Sequence, residues 1–163
     1  MKNNPTRMFY TATDFCNCAE YIFDSENSFF KGYQTPAIVN CAFACEIYLK
    51  ALLETQNIKS KTHNLNDLFQ ELPEEWKNDI LNDISRSCFN LVDMFGRSQL
   101  ENISEAFVKW RYNYEYTTLK IDISFLRTFC KVIREYCCKE LFNSTWSIIK
   151  ETMTYEKQIN KNK

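Results

Sequence analysis

A chain of 163 residues suffices for one well-filled core and is short for two. Hydrophobic residues at 45% supply that core, and only two glycines and three prolines argue against the many tight turns of a sheet protein. A net charge of −1 and a pI near 5.9 exclude a global basic field for nucleic acid, so any such contact must come from a local patch.

The first ten residues carry no apolar run of the kind a secretion signal needs, and no stretch reads as a membrane span of ~20 apolar residues. A cytoplasmic protein with no membrane partner is therefore expected. The eight cysteines are Cys16, Cys18, Cys41, Cys45, Cys88, Cys130, Cys137 and Cys138. They fall within helical patterns among apolar neighbours and read as small buried hydrophobes, not as a disulfide scaffold. Cys16 and Cys18 point to different sides of a helix. Cys41 and Cys45 share a face, but at most His63 could join them, so neither a metal nor a cofactor is expected.

The first helix is predicted from about Ala12 to about Phe30, with Phe15, Ala19, Ile22 and Phe23 as its apolar stripe and Gly32 as its left-handed cap. Thr35-Pro36 is read as the opening of the second helix, with threonine as cap and proline at the first position. Its continuation through Gln56 is so apolar that it belongs at the centre of the bundle. A polar loop follows from Ile58 to His63. Asn64 caps a short helix carrying Leu65, Leu68, Phe69 and Leu72. Pro73 starts another, with Glu74 and Glu75 in its first turn and fraying expected around Ser85 to Gly96. Ser98 and Glu101 fit a capping box for a helix that holds Ile103, Phe107, Trp110 and Tyr114 and ends near Tyr116. Asp122 caps a long last helix that reaches Trp146, and Glu151 to Lys163 reads as a polar tail.

Three segments in order resemble the HEPN family. The first is Ala42-Phe-Ala-Cys-Glu46-Ile-Tyr-Leu-Lys50-Ala-Leu-Leu53. It is similar to a family helix in which a glutamate precedes an apolar trio and a lysine. The second, Lys61-Thr-His63-Asn-Leu65, resembles the family's histidine-polar-leucine turn. The third, Phe107-Val-Lys-Trp110-Arg111-Tyr112-Asn-Tyr114-Glu115, resembles the late helix that carries its arginine. The resemblance covers roughly residues 10 to 145. It implies a bundle of four or five helices, often a homodimer. It also implies a bacterial defence or toxin–antitoxin setting such as abortive infection. Active members of the family are RNases that place a histidine after the arginine with four to six residues between the two. In this chain those places hold Tyr116, Thr117 and Thr118, and the single histidine is His63.

Metal-free RNA cleavage needs a group that moves the 2′-OH proton, and imidazole does this best near neutral pH. Arg111 can clamp a phosphate, whereas Tyr116 or Tyr114, with a phenol titrating near pH ~10, makes a poor base. His63 substitutes only if the fold brings its loop beside Arg111. It otherwise reads as a hydrogen-bonded loop anchor. Arg111 and Glu115 are either part of a phosphate-facing cleft or an i,i+4 pair. Glu46 and Lys50 are an i,i+4 pair that stabilises the helix, or a support for Arg111. Tyr112, Tyr114 and Tyr116 are base-stacking rings or an interface. Arg127, Lys131 and Arg134 share a face that is solvated or meets phosphates.

The expectation is thus an all-α antiparallel bundle of about five helices, with one domain over residues 1–150 and a tail over 151–163, forming a homodimer. The missing histidine favours a non-catalytic module that binds RNA, a nucleotide or a partner protein. The alternatives are a metal-independent endoribonuclease with a substituted set around Arg111, and a structural dimerisation domain.

Overall fold

The computed structural model describes residues 4–25, 32–87 and 99–161, with side chains to Met153. Seven α-helices and one 3-10 turn have both ends within these residues, and no strand occurs among them. The all-α expectation holds, with a helix count somewhat above five.

Helix α1 spans Pro5–Asp24. It begins before Ala12 because Asn4 Oδ1 accepts a hydrogen bond from Arg7 N at 3.2 Å and Pro5 fills the first turn. The polar opening of the chain masks an apolar period that in fact starts at Phe9. It ends at Asp24, short of Phe30: Ser25 turns extended and its hydroxyl donates to Ile22 O at 2.9 Å. Phe29 and Phe30 lie outside the described residues. Gly32, at φ +76°, therefore precedes the second helix and does not cap the first.

Helix α2 spans Gln34–Thr55. Thr35 is not its cap, because the helix starts one residue earlier and the Thr35 hydroxyl instead accepts from Asn113 Nδ2 at 2.9 Å. Ile38, Ala42, Cys45, Leu49 and Leu52 are fully buried, with α1 on one side and the later helices on the others, so α2 is the central helix as expected. Its length and mean hydropathy of 1.4 do suffice for a membrane span, contrary to expectation. The physical reason is that a helix covered on all sides by its own protein is apolar all round, and 67% of that window is buried here. Tyr48 OH lies 2.9 Å from Thr13 Oγ1, whose proton goes to Phe9 O. Tyr48 must then be the donor, and the chain of bonds satisfies three polar groups inside the α1–α2 contact.

Helix α3 spans Leu65–Gln70 and is capped by Asn64, whose Oδ1 accepts from Asp67 N at 3.1 Å. Helix α4 spans Glu74–Ser87, and the Pro73 carbonyl accepts from Lys77 N just before it. Fraying predicted from Ser85 onward does not begin before Ser87, and the rest of that segment lies outside the described residues, as does Ser98 of the capping box.

Residues 99–103 are helical, but the helix does not run on to Tyr116. The Ser104 carbonyl leaves the helix to accept from Leu65 N at 2.8 Å, and the Ser104 hydroxyl turns back to Glu101 O. Helix α5 then spans Ala106–Arg111 and gives way to a 3-10 turn at Asn113–Glu115. The break uses the otherwise unpaired first amide of α3, and it locks the His63 turn onto the arginine helix.

Helix α6 spans Ile123–Phe142, capped by Asp122 Oδ1 accepting from Phe125 N at 2.9 Å. It stops before Trp146, because Asn143 adopts the left-handed conformation at φ 48° and ψ 45°. Helix α7, Trp146–Lys161, runs through the segment expected as a polar tail. Ile149 is buried and Met153 packs on the core, which gives this helix an anchor.

Candidate functional site

The site is built on α2. Glu46 is 3% exposed, and its Oε1 accepts from Lys50 Nζ at 2.8 Å along the same helix. The same oxygen lies 2.8 Å from His63 Nδ1. A carboxylate accepts only, so His63 donates from Nδ1, and in the neutral ring Nε2 is then the accepting nitrogen. The imidazole is 57% exposed and open to an incoming group. Glu46 Oε2 is buried without a hydrogen-bond partner. The Glu46–Lys50 pair read from sequence is therefore present, but it supports His63 and not Arg111.

The His63 ring leans on Phe107 with centroids 6.2 Å apart. Phe107 is stacked at 4.6 Å on Phe43 of α2. On the same Phe107 ring sits the Arg111 guanidinium, 4.8 Å from the centroid, and the Tyr112 ring receives it at 4.7 Å. One aromatic ring thus brings the loop histidine and the helix arginine to the same face. Phe107 was read from sequence only as core. Its i,i+4 spacing from Arg111 on one helix was the available signal.

Of the two readings of Arg111 and Glu115, the i,i+4 pair does not form, because α5 ends at Arg111 and the 3-10 turn carries Glu115 off the helical register. Among the described residues no carboxylate is paired with Arg111, which is exposed. Tyr112, Tyr114 and Tyr116 are all exposed, with Tyr112 and Tyr114 edge to face at 6.2 Å. Desolvation and the adjacent Glu115 carboxylate push the Tyr114 phenol above its ordinary value, so it holds its proton at neutral pH. Tyr116 follows the 3-10 turn, and no contact places its phenol against His63 or Arg111 among the described residues.

The basic residues of α6 are placed elsewhere. Arg127 donates to both oxygens of Glu20, at 3.0 and 2.9 Å, and to Asp24 at 2.6 Å, while Lys131 reaches Glu20 at 2.9 Å. Burial alone would raise the Glu20 carboxyl, but these two cations outweigh it and hold it below the ordinary value. Arg134 is buried, stacked at 4.2 Å over Trp146. Arg127 is drawn to the acids of α1 and Arg134 to the Trp146 ring, while Lys131 pairs with Glu20 and stays exposed, so the three do not make one common face.

The expectation that only His63 could join Cys41 and Cys45 fails. Cys130 joins them: the three sulfurs lie within 4.8 Å of one another, all buried. Cys130 comes from α6, far off in sequence.

The three segments singled out in the sequence thus meet: the glutamate of the first holds the histidine of the second, and both border the arginine helix of the third. No curated protein and no solved structure matches the chain. The HEPN domain family model matches residues 12–141, a span that contains all three segments and most of the bundle. The chain belongs to the HEPN domain family.

Proposed function

We propose that this HEPN module binds single-stranded or looped RNA on the face made by His63, Phe107, Arg111 and the tyrosines of the 3-10 turn. The observation that carries the reading is the exposed Arg111 guanidinium, held over two rings with no carboxylate paired to it among the described residues. A phosphate supplies the missing anion, and Tyr112 and Tyr114 offer flat rings to unstacked bases. Binding without cleavage is the leading form of the proposal, because Tyr116, Thr117 and Thr118 occupy the places of the family's second catalytic residue. A defence or toxin–antitoxin setting suits such a module.

One observation favours a second reading, metal-independent cleavage. Glu46 holds His63 through Nδ1 at 2.8 Å on an exposed side chain, so the neutral ring has Nε2 to accept a proton from a ribose 2′-OH. Arg111 would then stabilise the charge that develops on the phosphate. The test is a gel shift of a labelled, structured RNA in EDTA, with the same lanes read for cut products. The expected result is a shifted, intact RNA with the wild type and no shift with Arg111→Ala. Cut RNA that stays intact with His63→Ala replaces the first reading by the second. No shift and no cutting by the wild type removes both.

A further inference from the structure

The middle of the bundle contains a group of thiols that the RNA-binding face does not use. Cys41 and Cys45 lie one turn apart on α2, and Cys130 faces them from α6, with the three sulfurs within 4.8 Å of one another. Cys16 of α1 stands 3.6 Å from Cys130, sulfur to sulfur. All four are buried and none is in a disulfide. A tetrahedral zinc–thiolate centre, with bonds of about 2.3 Å, places its sulfurs about 3.8 Å apart. Cys41, Cys45 and Cys130 approach that spacing among themselves, and Cys16 meets it with respect to Cys130.

A second, independent feature concerns charge. Arg134 is buried beside this group, and its Nη1 donates to Cys16 Sγ at 3.5 Å. Its Nε is buried with no partner. A buried guanidinium that meets a sulfur in place of a carboxylate is costly unless that sulfur carries charge. A dication bound by four thiolates leaves a net charge of −2, and Arg134 is positioned to offset part of it. In the metal-free protein the hydrogen bond with Cys130, together with burial, pushes the Cys16 thiol up and keeps it protonated. A bound cation reverses that preference.

We propose that Cys41, Cys45 and Cys130, completed by Cys16, bind one thiophilic cation of the Zn2+ type and so staple α1, α2 and α6 together. Sulfur-only donors select a soft or borderline metal over Mg2+ or Ca2+. The compact spacing fits a single ion.

The test is anaerobic titration of the reduced, full-length protein with Co2+, followed by absorption. The expected result is a thiolate-to-cobalt charge-transfer band with tetrahedral visible bands, saturating at one ion per chain and lost when Zn2+ is added. Cys45→Ala should weaken binding by at least ~10-fold. Cys137→Ala should leave it unchanged, because that equally buried thiol is directed at the Tyr48 carbonyl. Circular dichroism checks that each variant is helical. Absence of the bands in the folded wild type overturns the proposal, and so does an unchanged titration in a folded Cys45→Ala variant. Neither result bears on RNA binding, which is read separately.

Discussion

Inside the α1–α2 contact, one hydroxyl decides how three polar groups are satisfied. Thr13 donates to Phe9 O and receives the Tyr48 proton. Two substitutions that remove the same Thr13–Tyr48 bond should therefore differ in cost. Tyr48→Phe leaves Thr13 still bonded to Phe9 O and should destabilise by about 1 kcal/mol. Thr13→Val leaves a buried phenol with no acceptor and should cost more, about 2–3 kcal/mol. Urea unfolding of the two variants checks the order. The same reasoning applies at Glu46, where one oxygen serves both Lys50 and His63 and the geometry of the histidine depends on a residue 17 positions away.

At the scale of elements, the turn from Thr62 to Leu65 does two jobs. Thr62 Oγ1 accepts from Asn64 N, Asn64 caps α3, and the Leu65 amide docks on the Ser104 carbonyl. Asn64→Ala should cost about 1 kcal/mol by the loss of the cap. It should also loosen His63, seen by NMR as a shift of the imidazole resonances that a distant cap variant, Asp122→Ala, does not cause. Caps of this kind were legible in the sequence: Asn64 and Asp122 act on amides three residues away, so local reading found them. The break at Ser104 was not legible, because its carbonyl is drawn off by an amide from another helix. Asn143 resembles any other polar residue until its left-handed backbone is seen. Glu46, His63 and Arg111 were each found through their motifs. That His63, held by Glu46, and Arg111 both lean on Phe107 depends on how α2 and α5 pack, and no spacing along the chain encodes that. The thiol group escaped for the same reason, since Cys130 arrives from α6.

Across the whole molecule, charge is used to clamp helices together. Glu20 on α1 holds Arg127 and Lys131 on α6, and Asp24 adds a second anchor. A partly exposed network of this kind is screened, so Arg127→Met should cost only about 1–2 kcal/mol at neutral pH. The folded-state value of Glu20 lies below its ordinary 4.5. The stability it contributes is therefore present above that ordinary value and is lost as the pH falls through the lowered one. The gap between wild type and Arg127→Met should shrink in urea melts as the pH is taken down to ~3. These cations are committed to the acids of α1, whereas among the described residues no carboxylate pairs with Arg111.

The central claim is the proposal that RNA binds at Arg111, which pairs with no carboxylate among the described residues and shares the Phe107 ring with His63. Fluorescence anisotropy of a labelled single-stranded RNA, with wild type and Arg111→Ala side by side at one ionic strength, measures it most directly. The expected result is saturable binding by the wild type and a Kd at least ~10-fold weaker in the variant, as for a lost stacked or phosphate-bonded contact. Equal affinities for the two folded proteins, or no binding by either, would contradict the claim.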